Sequence, residues 1–387
     1  MTEEILHFSP PERGHADVLF IAGEHSGDQH AALVAREMRE RHPEWKLAAV
    51  GGPALAREGV QLLHDLTRDS VVGLVEVLRH YGTFKRIFDA LIEWVGENRP
   101  RVVVLVDYPG FNLRFAAALK KQGISRKGGG NVAVYQYISP QIWAWKAGRR
   151  FRMAKVLDGL GVIFPFEVDC YKDTDLAVHF TGHPFVREGY RNPLRFDAEG
   201  PILLLPGSRR QAVGRIFPIL LETIRKYHSE GGARRCVCLY PEDRIRRILE
   251  EAIGRSGLDS THVALRPVEQ GTTAAAVLTS SGTMSLNCAL AGVPGAIVYR
   301  AHPLTAWMGR RLIRIPWLGI ANLVLGRDLY PEYLQGDAKP ALLCGLLQTL
   351  LGNAESGAAF RRAAEELREH LRPGTHSTVT DRISELI

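Results

Sequence analysis

Residues 102–106 read Val-Val-Val-Leu-Val, and Asp107 closes the run. An unbroken β-branched segment with no polar alternation suits a strand buried on both faces, the environment of a parallel sheet covered by helices on either side. Similar runs precede and follow it: VLFIAG (18–23), LAAVGG (47–52), NVAVYQYIS (131–139) and LGVIF (160–164). Amphipathic segments lie between them, such as the one from about Ser26 that gathers Leu33, Val34 and Met38 on one face. This is the rhythm of βαβ units wound into an open sheet. It breaks at GYRNPLRFDAEGP (189–201), which is polar and turn-rich, and restarts with ILLLPG (202–207), RCVCLY (235–240), HVALR (262–266), AAVLTS (275–280) and GAIVYR (295–300). The pattern predicts two doubly wound α/β domains with a boundary near 190–200 and a helical stretch from about 340. KGGGN (127–131) reads as a flexible turn. A chain of 387 residues accommodates two such domains.

Two doubly wound sheets in series leave a cleft between the carboxyl ends of their strands, where such folds bind ligands. That layout suits two-substrate nucleotide chemistry. No G-x-G-x-x-G follows the first strand and no G-x-x-x-x-G-K-[ST] occurs, which counts against a dinucleotide dehydrogenase and a P-loop ATPase. The five cysteines, Cys170, Cys236, Cys238, Cys288 and Cys344, are too few and too scattered for a disulfide framework. They read as reduced, buried thiols of a cytoplasmic protein, with no metal centre. The N-terminal residues lack a basic start and an apolar run, so no signal peptide is expected, and no apolar stretch approaches the roughly 18 residues that span a bilayer. The formal net charge of +7 suits nucleic acid, an anionic membrane surface or a phosphorylated substrate.

Candidate sites fall where strands end. In GEHSGD (23–28), Ser26 can cap a helix, or the free N–H groups there can hold an anion or a sugar hydroxyl. In VDYPGFN (106–112), Asp107 is placed to take a proton from a hydroxyl, or to stabilise a turn, and Asn112 can cap the next helix. In YISPQIWAWKAGRRFRMAK (137–155), apolar rings stand beside Lys146, Arg149, Arg150, Arg152 and Lys155. That mixture suits a phosphorylated amphiphile or an anionic membrane, a single-stranded nucleic acid platform, or simply a core Trp next to a solvated helix face. In the second half, PGSRR (206–210) and SSGTMSLN (280–287) each place small or hydroxyl residues at a strand-to-helix turn, with Arg209 beside Ser208. Each alone is explained by capping; together they point to a nucleoside-diphosphate pocket. The 301–320 stretch carries Trp307, Trp317, Arg310, Arg311 and Arg314 and suits a membrane contact or an ordinary amphipathic helix, and Asn322, Arg327 and Gln335 add polar groups after it.

GEHSGD, VGLVEVL (72–78), DYPGFN, YISPQIWAW, PFE (165–167), TGHP (181–184), PGSRR, SSGT, NLVLGR (322–327) and YLQ (333–335) occur in this order, and from about residue 17 to 350 the chain resembles the lipid-A-disaccharide synthase family. The resemblance implies a GT-B architecture, two Rossmann-like domains with parallel sheets facing across a cleft. An acceptor-binding domain is expected over 1–190, a UDP-sugar-binding domain over 191–355, and a helical tail over 356–387 packing back on the first. It implies an inverting transfer from UDP-2,3-diacylglucosamine to 2,3-diacylglucosamine 1-phosphate, giving the disaccharide phosphate of lipid A biosynthesis and UDP. It further implies no cofactor or metal, no nucleic acid partner, and a peripheral place on the cytoplasmic face of the inner membrane; an oligomer is open.

Residue by residue, the resemblance implies Asp107 as catalytic base. Ser208, Arg209, Ser281, Gly282, Thr283, Asn287, Asn322, Arg327 and Gln335 would serve the UDP-sugar. Ser26, Asn112, Ser139, Trp143, Trp145, Arg149, Arg150 and Arg152 would serve the lipid acceptor. The chain departs from the family pattern at Asn287, where a Glu is usual, in the run AAAVLTS before SGT, where an Asp is common, and at His25 in place of Ala. Two other readings stand beside this one, a nucleotide-sugar epimerase on the same architecture and a non-catalytic lipid-binding paralogue.

Overall fold

The computed structural model describes residues 6–12, 14–68, 81–302 and 315–387. VGLVEVL (72–78) and the Trp307 to Arg314 part of the basic stretch lie outside these residues. The chain forms two compact units, Met1–Gly189 with Arg372–Ile387, and Tyr190–Leu371.

The first unit is built on strands β1 (Val18–Ala22), β2 (Leu47–Gly51), β3 (Gln61–Asp65), β4 (Val102–Val106), β5 (Ala133–Tyr137), β6 (Gly159–Val162) and β7 (Ala177–Phe180). They form one parallel sheet in the order β3-β2-β1-β4-β5-β6-β7. The β-branched run explains the layering. Val103 and Leu105 join one apolar cluster and Val102, Val104 and Val106 the other, so alternate residues of β4 fill both faces of the sheet. Helices α1 (His25–Arg41), α2 (Pro53–Arg57), α3 (Tyr81–Asn98), α4 (Pro109–Lys121) and α5 (Arg149–Ala154) lie between strands.

The second unit repeats the plan. Strands β9 (Ile202–Leu205), β10 (Cys236–Tyr240), β11 (Val263–Pro267), β13 (Ala276–Thr279), β14 (Gly295–Tyr299) and β15 (Glu332–Leu334) form a parallel sheet in the order β11-β10-β9-β13-β14-β15. Helices α6 (Arg210–Ser229), α7 (Asp243–Ser256), α8 (Thr283–Leu290), α9 (Ile320–Leu325) and α10 (Pro340–Gly352) accompany it. The turn-rich segment at 189–201 is more than a linker: β8 (Leu194–Phe196) pairs in parallel with β12 (Thr272–Ala274).

The expected tail divides. Helix α11 (Ala354–Leu371) belongs to the second unit, where Arg368 donates to the Leu290 carbonyl. Helix α12 (Val379–Ser384) belongs to the first. Val379 and Ile383 are fully buried in its core, and the Arg41 guanidinium meets the Asp381 carboxylate at 2.5 Å. Within the expected flexible turn at 127–131, Gly128 and Gly130 are closely packed: a Cβ on them would stand 2.3 Å from the Lys120 and 2.1 Å from the Ile124 carbonyl oxygen.

Candidate functional site

The order of the first sheet reverses between β1 and β4, where Ala22 pairs with Val106. Connections leave this point in opposite directions and open a crevice at the carboxyl ends of the two strands. Residues 23–26 and Asp107–Pro109 line it. Asp107 and Tyr108 both adopt left-handed backbone, with φ of 47° and 44°. Consecutive non-glycine residues there cost about 1–3 kcal/mol each and persist only where the surroundings over-determine them. Two buried amides do so. The Asn112 side chain donates to the carbonyls of Val106 (3.2 Å) and Asp107 (2.7 Å), and the Gln136 side chain donates to those of Asp107 (3.1 Å), Tyr137 (3.3 Å) and Ile138 (3.1 Å). The Asp107 N–H in turn donates to the Tyr137 carbonyl at 2.9 Å. Gly23 completes the fit, because a Cβ there would lie 2.3 Å from the Tyr108 ring.

The Asp107 carboxyl is half-buried at the crevice. Burial, reinforced by the Glu24 carboxylate and opposed by the Tyr108 backbone N–H, pushes its pKa up to about 6. A carboxylate with that affinity for protons is a competent general base near neutral pH.

The neighbouring motif residues take other places. Ser26 is exposed and is not the cap of α1, since the N-cap is Glu24 and makes no side-chain cap bond. Asp28 is fully buried and accepts from the backbone N–H groups of Gly52, Ala54 and Leu55, at 2.9, 2.8 and 3.2 Å, so it ties α1 to the start of α2. Asn112 does not cap α4 either; Tyr108 holds that position, and Asn112 works one turn in, beneath it.

In the loop after β5, the Ser139 hydroxyl is buried between the Pro140 carbonyl and the Tyr171 hydroxyl, at 2.8 and 2.7 Å. Its position serves the loop and leaves no free surface for a ligand. The Trp143 indole N–H donates to Glu167 at 3.2 Å. Glu167 is itself buried and accepts from the N–H groups of Ile163 and Phe164, so the PFE motif anchors the tryptophan loop. Burial pushes the Glu167 carboxyl up to about 8 against those three donors. The sequence offered no sign of this role beyond the spacing of the motif. Trp145 and Phe151 are exposed, with Lys146 4.3 Å above one ring and Arg150 4.3 Å above the other. The Arg150 guanidinium is taken up by Asp173 in a two-point ion pair. Arg152 is exposed and Arg149 partly so.

The second sheet reverses between β9 and β13, where Leu205 pairs with Thr279. PGSRR follows the one strand and SSGT the other, so the two motifs meet at that unit's own crevice. The Ser280 N–H donates to the Leu205 carbonyl at 2.8 Å, and Gly207, with φ of 112°, lies against the Ser280 side chain. Ser208, Arg209, Gly282 and Thr283 are exposed and Ser281 partly so. Neither α6 nor α8 has a side-chain cap, so both helix starts present free N–H groups.

The remaining donor-site candidates are engaged within the unit. Asn287 is buried, accepting from the Tyr190 hydroxyl at 2.8 Å while its carbonyl accepts from Asn192. Asn322 is fully buried; its amide donates to Tyr330 and Glu332 and its oxygen accepts from the N–H groups of Leu329 and Tyr330. Every hydrogen-bonding site of that side chain is filled, which leaves none for a ligand. Arg327 makes a two-point ion pair with Glu366. The Gln335 amide lies over Ala301, 3.2 and 3.3 Å from its N–H and carbonyl in the orientation that pairs both.

Among the described residues no group of His, Cys, Asp or Glu side chains is arranged to hold a metal, and no helix is long and apolar enough to cross a membrane.

The family described as Lipid-A-disaccharide synthetase matches residues 18–383. The lipid-A-disaccharide synthase of Geobacter sulfurreducens is 32% identical over 366 residues, covering 92% of this chain and 93% of that one. That of Syntrophotalea carbinolica is 34% identical over 381 residues, covering 95% of each. Among solved structures, a glycosyltransferase of kitacinnamycin gives a TM-score of 0.59 at 13% identity, over 96% of this chain and 98% of that one. A UDP-N-acetylglucosamine 2-epimerase from Listeria monocytogenes, described as putative, gives 0.56 at 13% identity, over 91% and 94%. At such identities the likeness speaks for the fold alone.

Proposed function

The chain belongs to the lipid-A-disaccharide synthetase family, and from that premise we propose that it joins UDP-2,3-diacylglucosamine to 2,3-diacylglucosamine 1-phosphate with inversion, releasing UDP. The chain is a GT-B glycosyltransferase of lipid A biosynthesis. The observation that carries the finer reading is the half-buried Asp107 at the β1/β4 crevice, held in a strained turn by two amides that touch only its backbone.

Inversion by direct displacement needs one base and a stabilised leaving group. Asp107 takes the proton from the acceptor's 6-hydroxyl as that oxygen attacks the anomeric carbon and the bond to the diphosphate breaks. The diphosphate charge is met by Ser208, Arg209 and the uncapped start of α8 at Ser281, Gly282 and Thr283, dipoles and guanidinium in place of a metal. Asn322, with every hydrogen-bonding site filled, shapes the unit that carries these loops.

The base must be ionised, so activity is present above its pKa and lost as the pH falls through it. The acid limb of kcat/KM is expected near pH 6, following the raised pKa of Asp107. A limb at the ordinary carboxylate range would remove Asp107 from the role. We also place the protein peripherally on the cytoplasmic face of the inner membrane, on the strength of the exposed Trp145 and Phe151 among cations. Association with anionic vesicles is expected to weaken as salt rises; salt-independent association would point to acyl insertion instead.

The deciding assay mixes the purified chain with UDP-2,3-diacylglucosamine and the monosaccharide 1-phosphate and follows disaccharide and UDP. Lipid binding with no UDP release would make the chain a non-catalytic paralogue. A 2-epimer formed from UDP-N-acetylglucosamine would make it an epimerase.

A further inference from the structure

On the first unit, α4 and the segment around α5 wall a cavity of about 200 Å³. Leu113, Ala117 and Val156 give it an apolar lining, which it shares with Arg114, Arg149 and Arg152. Residues 110, 113, 114 and 117 recur at i, i+3, i+4 and i+7 on one face of α4, Arg149 and Arg152 stand one turn apart on α5, and Val156 follows in the turn after it. Among the described residues no ion pair or hydrogen bond joins these three arginines to a carboxylate, whereas Arg150, in the same turn, is consumed by Asp173. Three like charges gathered beside apolar side chains repel one another, and a dianionic oxygen cluster with a methylene tail relieves the repulsion and covers the apolar lining at once.

The cavity also lies where an acceptor substrate would need it. Pro109 and Gly110 form part of its wall, two and three residues after Asp107. Arg114 stands about 7.5 Å further along α4 than Pro109, at 1.5 Å per residue. We infer that this cavity binds the phosphomonoester of the acceptor sugar, with the first methylenes of an acyl chain on Leu113, Ala117 and Val156. The inference rests on the transfer reaction proposed above and assigns the phosphate end of that reaction to Arg114, Arg149 and Arg152, with Arg150 excluded.

The test compares the wild type with the Arg114→Ala/Arg152→Ala double variant, on the monosaccharide 1-phosphate and on the same sugar without its phosphate. Both arginines are exposed, so the fold is expected to survive. The preference for the phosphorylated acceptor, as a ratio of kcat/KM values, is expected to fall about ten- to a hundredfold, as loss of charge-assisted hydrogen bonds implies. Lys121→Ala, which removes one charge from the far end of α4, is expected to keep the ratio. An active wild type with an unchanged ratio in the double variant would overturn the assignment of this cavity and leave the reaction standing. If, with that ratio unchanged, the variant instead loses affinity for phosphatidylglycerol–phosphatidylcholine vesicles, the cavity is a membrane headgroup site and the inference is wrong. A wild type inactive on both acceptors would overturn the proposed reaction itself.

Discussion

Asp107→Asn is expected to lower kcat by roughly a hundred- to ten-thousandfold, the contribution of a positioned general base, while the protein folds and binds UDP near normally. The substitution is clean for a structural reason. Asn112 and Gln136 donate to the backbone carbonyl of residue 107, not to its side chain, so the turn keeps its supports. Asparagine tolerates the left-handed conformation about as well as aspartate. Stability offers a second reading. The folded-state pKa of Asp107 is raised from 3.8 to about 6, so the carboxyl stabilises the fold at low pH and ceases to do so as pH rises through that window. Above pH 6 the variant therefore carries no buried charge, and its melting temperature is expected to equal or exceed that of the wild type. Retained turnover would remove Asp107 from the base role; a lower melting temperature at neutral pH would mean that the carboxylate has a partner not identified among its neighbours.

Asn322→Ala is expected to act on folding instead of substrate affinity. It strips partners from the N–H groups of Leu329 and Tyr330, from the Tyr330 carbonyl and from Glu332, all beside a buried tyrosine. Orphaned buried groups cost about 1–3 kcal/mol each, and the sum is expected to reach about 3–5 kcal/mol. For a unit of this size that corresponds to a fall of roughly 6–20 °C in melting temperature. The KM for the nucleotide sugar should move little in whatever fraction stays folded. An unchanged melting temperature with a raised donor KM would reverse the assignment and make Asn322 a ligand.

These two residues show what the sequence discloses. Asp107 was legible because it ends a strand whose apolar run fixes its burial, and the carboxyl end of such a strand is where a parallel sheet keeps its chemistry. Asn322, Arg327 and Gln335 announce polarity but not their partners, and those partners, Tyr330, Glu332, Glu366 and Ala301, are settled only by packing. Gln136 escaped notice for the opposite reason: inside NVAVYQYIS it reads as one polar step in a strand, yet its buried amide holds three carbonyls around the base. The strands followed the same logic. Interior strands are continuous apolar runs. Gln61–Asp65, Ala177–Phe180 and Glu332–Leu334 are sheet edges with one neighbour each and partly exposed side chains, and no apolar run marks them, whereas the fourth edge, Val263–Pro267, was legible in HVALR.

The return of Arg372–Ile387 to the first unit has a consequence for biosynthesis. Val379 and Ile383 fill that unit's core, yet they emerge from the ribosome only after all of residues 190–371. At ordinary elongation rates the interval is roughly ten to forty seconds. During that time the nascent N-terminal portion waits with an unfilled apolar socket against α1, a window in which chaperone capture or premature release matters more than it would for a contiguous domain.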